Sequence, residues 1–236
     1  MGETISLGIG QGYNSFTVLQ MAQAVSTLAN NGLKMKPHLV REVVDVETKK
    51  STPVAKEPVA QLDLLPENMD VIKKAMVGVN LEGTSATSFV GAQYTSAGKT
   101  GTAQVYTVKQ NEKYNANTVD KRMRDHALFI AFAPAENPKV ALAMVVENSG
   151  FGAQNAAPIA RRVFDYVIMG QFPSLEDIDA VQKCQATRPI GKPRAIVDVP
   201  WPPKAVETAP DTDTDERVDA NPAKAVQSKA SASAKL

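Results

Sequence analysis

The chain has 236 residues, of which 43% are hydrophobic and 22% are charged, as in an ordinary globular protein. Its 26 Lys and Arg residues nearly balance its 25 Asp and Glu residues, so the net charge of +1 favours neither nucleic acid nor an anionic membrane as a partner. A single cysteine, Cys184, excludes an intramolecular disulfide and a paired-cysteine zinc site. We also expect no leader and no membrane segment in this chain, because no run approaches the roughly 18 apolar residues of a membrane span.

The N-terminal third predicts one helix, one strand and a loop. An amphipathic helix is predicted over about residues 17–31, where Thr17 and Gln20 have capping-box spacing and Gly32 is a typical stop. β-prone residues predict a strand over 38–46, and charges with two prolines predict a connecting loop over 48–58.

The central part predicts a second helix, three strands and a last helix. The second helix begins after Pro66 and ends before Gly83. Strands are predicted at 95–106, 127–133 and 140–147, the last two forming an antiparallel hairpin. A final helix from Asn155 to Gly170 carries an apolar stripe that we expect to pack on the sheet: Ile159, Val163, Phe164, Val167 and Ile168. The fold class is therefore α+β, an antiparallel sheet flanked by helices.

Composition changes near Pro173. Seven prolines, an acidic patch and an Ala/Ser/Lys-rich end follow it. We therefore predict a folded domain over residues 1–172 and a mostly disordered Pro/Ala/Asp-rich tail over 173–236, with disorder from about residue 185.

The most informative motif is Lys99-Thr100-Gly101-Thr102, on a predicted strand. Lys99 supplies positive potential for a substrate carboxylate, and the hydroxyls of Thr100 and Thr102 can donate hydrogen bonds to it. Gly101 leaves room where a ligand backbone must lie close. Alone, the motif is also compatible with a solvated lysine on an edge strand.

Several segments together give the motif its context. They are Gly8-Ile-Gly-Gln-Gly-Tyr13 leading into Thr17-Val-Leu-Gln-Met21, Gly83-Thr84 after a helix, Ala97-Gly-Lys-Thr-Gly-Thr-Ala-Gln-Val105, Arg124-Asp-His-Ala-Leu-Phe-Ile-Ala-Phe-Ala-Pro134 and Val140-Ala-Leu-Ala-Met-Val-Val-Glu-Asn148. In this order the chain resembles the penicillin-binding proteins, and within them the penicillin-binding protein 2 group of class B transpeptidases that act in rod elongation. The resemblance spans about residues 2–170.

The resemblance implies part of the penicillin-binding, serine β-lactamase-like transpeptidase fold and a D,D-transpeptidase that cross-links peptidoglycan stem peptides through an acyl-enzyme. It implies that Lys99, Thr100, Gly101 and Thr102 bind the D-Ala-D-Ala terminus or a β-lactam, with the Thr102 backbone N–H as an oxyanion donor. By family we expect a place on the periplasmic face of the bacterial inner membrane, a glycan polymerase and elongation-complex proteins as partners, and no cofactor or metal.

The family's Ser-x-x-Lys and Ser-x-Asn motifs precede the Lys-Thr-Gly motif. We expect neither spacing in this chain, so that the segment that carries the nucleophile is absent and the chain alone should be inactive. The alternative is a non-catalytic remnant, or a scaffold or binding protein derived from such an enzyme.

Two other kinds of site are disfavoured. Gly8, Gly10 and Gly12 precede a helix, but their spacing fits neither the dinucleotide fingerprint nor the P-loop. Neither His38 nor His126 has partners at metal-ligand spacing, so we expect structural roles for both.

Overall fold

The computed structural model of the protein describes residues 14–105, 114–115 and 118–199, together with residues 4, 7, 8 and 10. Gly12 of the glycine-rich turn, the predicted strand end at Tyr106 and the tail from residue 200 lie outside the described residues.

The described residues form short and long helices around several small sheets. The helices are α1 (Val18–Ala29), α2 (Pro66–Leu81), α3 (Ala86–Phe89), α4 (Gly152–Asn155), α5 (Ala157–Met169) and α6 (Leu175–Gln182). The strands are β1 (Leu33–Met35), β2 (Glu42–Val44), β3 (Ser51–Pro53), β4 (Pro58–Gln61), β5 (Ala97–Ala103), β6 (His126–Ala133), β7 (Val140–Val146), β8 (Gln171–Phe172) and β9 (Arg194–Ala195). Single turns of 3₁₀ helix lie at Lys121–Met123 and Ile196–Asp198.

The main sheet has the order β5-β6-β7, and both pairings are antiparallel. This confirms the three adjacent strands and the hairpin predicted from the sequence. β6 lies in the centre, and its side chains alternate between the two faces of the sheet, so both faces contribute to the core.

Two clusters of buried side chains cover the two faces of β6. The first core cluster comprises Phe89, Ala127, Phe129, Ala131, Ala133, Ala156, Ala157, Ala160 and Phe164. The second comprises Val25, Ala29, Ala97 and Phe132, with Ile130 and Met76 packed against it. Helix α5 therefore packs on one face of the sheet, while α1 and α2 contribute to the layer on the other, as the sequence predicts.

The predicted caps of α1 are confirmed. The Thr17 hydroxyl accepts a hydrogen bond from the Gln20 backbone, and the Gln20 side chain accepts one from the Thr17 N–H, which makes a complete capping box. At the other end Gly32 has φ +90°, a conformation that glycine adopts without strain. The helix thus ends where the sequence predicts.

The predictions for residues 38–58 were wrong in part. Only Glu42–Val44 of the predicted strand forms β structure, and it pairs with Ser51–Pro53 from the predicted loop. Pro58–Gln61, which begins at the end of that loop, pairs with Leu33–Met35. A two-stranded hairpin can form from such residues because neither strand needs a buried face, and every residue of β2 and β3 is exposed.

The apolar stripe predicted for α5 is also partly wrong. Val163 and Val167 are exposed, and the buried stripe instead runs through Ala157, Ala160 and Phe164. Two adjacent arginines share this buried side, Arg161 at 6% and Arg162 at 7% exposure. Because hydrophobic periodicity counts arginine as polar, the true stripe does not show in the sequence.

Residues 173–199 differ from the predicted disordered tail. Helix α6 begins at a Ser174 cap, and β9 pairs with β8. Asp177 on α6 is fully buried and forms an ion pair with Arg162 on α5. This pair joins the segment to the helix that covers the sheet, which explains why a proline-rich stretch is ordered there.

Candidate functional site

Strand β5 lies at an edge of the main sheet and, among the described residues, pairs only with β6. Thr100 stands opposite Phe129 and Thr102 opposite Ala127. Because side chains alternate along a strand, Thr100 and Thr102 lie on one face of the sheet while Lys99 and Gly101 lie on the other. With respect to the strands that the structure describes, the edge position leaves one side of β5 available to an incoming backbone.

The Lys99 side chain is exposed, and its ammonium bends towards the backbone of the next residue. Its Nζ donates a hydrogen bond to the backbone carbonyl oxygen of Thr100, over 2.6 Å. The positive charge therefore lies beside the backbone of Thr100, although the side chains of Lys99 and Thr100 lie on opposite faces of the sheet.

The Thr100 hydroxyl has a partner that the motif alone does not show. Thr84, in the turn after α2, places its Oγ1 2.9 Å from Thr100 Oγ1. The sequence marks Gly83-Thr84 only as a segment of resemblance. No signal short of the folded structure indicates that this hydroxyl meets the Lys-Thr-Gly strand.

Glycine makes room at two points of close packing beside β5 and β6. A Cβ built on Gly101 would lie 3.2 Å from Leu128 Cβ, closer than most real contacts. A Cβ built on Gly152 would lie 2.2 Å from the Leu128 carbonyl oxygen and 2.5 Å from that of Gly101. Gly152, the first residue of α4, therefore packs directly against the β5–β6 pair. The sequence alone did not predict this role.

The letters Ser-x-x-Lys do occur once, at Ser96-Ala97-Gly98-Lys99, so the expectation that the chain lacks this spacing was wrong. The structure puts the two side chains in different environments. Ser96 is 5% exposed and accepts a hydrogen bond from Asn80 Nδ2 over 2.8 Å, whereas Lys99 is exposed. On a strand, residues three apart point to opposite faces, so the spacing that pairs serine and lysine on a helix does not pair them here.

Both histidines have structural contacts. His126 Nδ1 accepts a hydrogen bond from the Asn148 backbone over 2.9 Å, and His38 Nδ1 lies 2.8 Å from the Val40 carbonyl oxygen. Within residues 14–105, 114–115 and 118–199, no cluster of three His, Cys, Asp or Glu side chains could hold a metal ion.

A buried acid lies near the C-terminal end of β5. Asp125 precedes His126, which pairs with Ala103, and burial raises the pKa of the Asp125 carboxyl above its usual range. The Asn148 side chain donates to the carbonyl oxygens of Arg122 and Arg124. These bonds hold the loop before β6 against the end of β7.

Comparison with known proteins identifies the family of the chain. The family described as penicillin binding protein transpeptidase domain matches residues 1–165. The peptidoglycan D,D-transpeptidase MrdA of Haemophilus influenzae is 41% identical over 180 residues, which cover 74% of this chain and 27% of that protein. MrdA of Escherichia coli K12 is 40% identical over 173 residues, covering 72% of this chain and 27% of that protein.

Solved structures give the same result for the fold. The crystal structure of Pseudomonas aeruginosa PBP2 in complex with WCK 5153 is 37% identical, has a TM-score of 0.57 and matches 71% of this chain and 33% of that one. Penicillin-binding protein A of Mycobacterium tuberculosis, as a ceftriaxone acyl-enzyme, is 30% identical with a TM-score of 0.56, matching 69% and 35%. The chain thus spans about a quarter of the length of the curated relatives it matches.

Proposed function

Because this chain belongs to the penicillin-binding protein transpeptidase domain family, we propose that it is part of a peptidoglycan D,D-transpeptidase. Such an enzyme cross-links cell-wall stem peptides by acyl transfer through a serine. The part supplied here is strand β5, which holds the terminal carboxylate of D-Ala-D-Ala or of a β-lactam.

The observation that supports this role most is the arrangement of charge and hydroxyls on an open edge strand. Lys99 provides the positive potential, and Thr100 and Thr102 provide hydroxyl donors, which bind more strongly when the acceptor is charged. Gly101 lets a ligand backbone approach the strand. The Thr102 backbone N–H serves as one oxyanion donor.

The nucleophile lies outside these 236 residues. Ser96 is the one serine with a lysine three positions later, but its hydroxyl is buried against Asn80, whereas Lys99 is exposed. A serine without a nearby base is a weak nucleophile. The chain alone should therefore bind a β-lactam without being acylated by it.

The family also suggests where the protein acts and with what. We place it on the periplasmic face of the bacterial inner membrane, beside a glycan polymerase and the proteins of the elongation complex. Across the part of the chain that the structure describes, no helix is long and apolar enough to span a bilayer.

The carboxylate site is tested by titrating the ¹⁵N-labelled chain with benzylpenicillin and with its methyl ester, in which a neutral ester replaces the charged carboxylate. We expect the amide signals of residues 99–102 to shift with the acid, and the ester to bind more weakly. Added salt should weaken binding of the acid because the lysine is exposed. Equal affinity for acid and ester would overturn the proposed site.

The contribution of Lys99 is isolated with a matched pair of substitutions. Lys99→Met should remove most of the preference for the acid, because the positive charge is lost while the chain length is kept. Lys139→Met, at an exposed lysine before β7, should leave the preference unchanged.

The location of the nucleophile is tested separately by incubating the chain with a fluorescent penicillin. No labelled band is expected after denaturing electrophoresis. A covalent band would refute the absence of the nucleophile, and its position by peptide mapping would identify the serine. If the chain binds neither acid nor ester, the alternative of a non-catalytic remnant or scaffold is favoured.

A further inference from the structure

The hydroxyl pair formed by Thr84 and Thr100 connects the turn after α2 to the carboxylate-binding strand. We propose that Thr84 is a positioning residue, which orients the Thr100 hydroxyl and supplies it with a hydrogen bond when a ligand carboxylate is bound. This inference rests on the carboxylate-binding role proposed above for β5.

The first support is that Thr84 is held in place by a buried network. Asn80, at the end of α2, donates from Nδ2 to Ser96 Oγ over 2.8 Å. Ser85 places its Oγ 2.6 Å from Asn80 Oδ1, and Ser85 N donates to the Val79 carbonyl oxygen over 3.2 Å. The three polar side chains are 0–5% exposed.

Buried polar networks of this kind are rigid, because an unmade hydrogen bond inside a protein is costly. Ser85 directly follows Thr84, and Ser96 precedes the strand that carries Thr100 by one residue. The network therefore fixes the separation between the turn and β5. The Thr84 hydroxyl meets Thr100 because this network holds the turn against the start of β5, close to that contact.

The second support comes from counting protons. Each threonine hydroxyl has one proton to donate and two lone pairs that accept. If Thr100 donates to Thr84, it has no proton left for a ligand. If Thr84 donates to Thr100, the Thr100 proton is free to point at a carboxylate oxygen, and the donated bond polarises it further.

A bound carboxylate therefore selects one direction in this pair. Thr84 donates to Thr100, and Thr100 donates to the ligand, which makes a short relay that ends on the negative charge. A neutral ligand does not favour this direction of the Thr84–Thr100 hydrogen bond to a comparable extent. Thr84 should contribute to recognition of acids while having little effect on neutral analogues.

The exposure of Thr84 makes the idea testable by substitution. Thr84 is exposed, whereas its neighbours in the network are buried, so removing its hydroxyl should leave the fold intact. Thr84→Val replaces the hydroxyl with a methyl group of similar size, and Thr84→Ser restores a donor. Thr87→Val makes the same replacement at an exposed threonine on α3.

The experiment measures dissociation constants for benzylpenicillin and its methyl ester by amide shifts of the ¹⁵N-labelled full chain. Thr84→Val should weaken binding of the acid by about three- to tenfold, the value of one hydrogen bond, and change the ester by less than about twofold. Thr84→Ser and Thr87→Val should both stay within about twofold of the unsubstituted chain for either ligand.

A double-mutant cycle separates positioning from a structural effect. In a Thr100→Val background there is no hydroxyl to orient, so Thr84→Val should then have no further effect on the acid. An equal loss in both backgrounds would overturn the inference, as would an unchanged preference for the acid in Thr84→Val. Thr84→Ala replaces the valine variant if the latter loses the native spectrum.

The outcomes also distinguish this inference from the proposed function. If the unsubstituted chain does not prefer the acid over the ester, the carboxylate site itself is refuted, and the role of Thr84 with it. If the chain prefers the acid and the preference survives Thr84→Val, the site stands and only the positioning role fails.

Discussion

Substituting Asp177 by alanine should destabilise the protein strongly, because it leaves the charge of Arg162 buried without a partner. The two side chains are 1% and 8% exposed. The Asp177 carboxylate accepts hydrogen bonds from Arg162 Nε over 2.9 Å, from Arg162 Nη2 over 2.5 Å and from the Ile190 backbone over 3.1 Å. All three are lost in the variant.

The magnitude follows from the burial of the remaining charge. Among the described residues, Arg162 then keeps only its hydrogen bonds to the carbonyl oxygens of Pro158 and Thr187. Breaking a buried pair by removing one partner typically costs about 3–5 kcal/mol. Asp177→Ala should therefore reduce the free energy of unfolding by about that amount, measured by urea denaturation followed by circular dichroism.

The same helix offers a matched control. Asp179 pairs with Lys183 one turn further along, but both side chains are more than half exposed. Asp179→Ala should cost only about 0.3–0.5 kcal/mol, since exposed pairs four residues apart contribute little. If both substitutions changed the free energy of unfolding by the same small amount, burial would not determine how much the Arg162–Asp177 pair contributes to stability.

A compensated variant adds a second check. Replacing both partners with apolar residues, Arg162→Met with Asp177→Leu, removes the buried charge as well as its partner. Such replacements are often neutral or stabilising. The double variant should be more stable than Asp177→Ala alone, and hydrogen exchange over residues 175–182 should report the same order.

Three further predictions concern the core, the site and pH. Phe129→Ala should cost about 3–5 kcal/mol in the free energy of unfolding because the ring is fully buried on the central strand, while Val197→Ala at an exposed position should change it little. Gly152→Ala should destabilise the protein and shift amide signals of residues 99–103, since its Cβ would overlap the Leu128 carbonyl oxygen. Burial and the neighbouring Asp165 charge raise the pKa of Tyr94. The free energy of unfolding should therefore be retained below about pH 10 and decrease as the pH rises further. In Tyr94→Phe this decrease should be smaller.

Each of these has an outcome that contradicts it. A Phe129→Ala variant as stable as Val197→Ala would mean that the first core cluster does not hold the sheet. Gly152→Ala with wild-type stability would mean that α4 can move away from the β5–β6 pair. In the folded protein the Tyr94 hydroxyl donates to Asp165 Oδ1 over 2.8 Å, and phenylalanine has no hydroxyl to titrate. If Tyr94→Phe loses stability at high pH just as the unsubstituted protein does, other groups cause that loss.

The sequence predicts the main sheet well because local and tertiary preferences agree there. β6 and β7 are continuous apolar runs separated by a proline-containing turn, which is typical of a hairpin in the core. The capping box of α1 and the glycine after it are local signals that need no tertiary contact. Such elements are recognisable without knowing what they pack against.

The rest depends on contacts between residues far apart in the chain. The buried face of α5 carries two arginines, so polarity alone assigns that face to solvent. Arg161 donates to the carbonyl oxygens of Ser88 and Val90, 73 and 71 residues away, and Arg162 pairs with Asp177, 15 residues away. The Thr84 contact with Thr100 joins a turn to a strand 16 residues later. The strand motif predicts the residue types of the candidate site, but not the hydroxyl behind it or the glycine of α4 beside it.

The order of residues 173–199 also determines where the protein can be shortened. The match to the family model ends at residue 165, inside helix α5, yet the compact unit continues to Val199. A recombinant protein that ends at either residue 165 or residue 172 would lack the carboxylate that neutralises Arg162. The end of the family match is thus no guide to the end of the folded unit, and a truncated version should end after Val199.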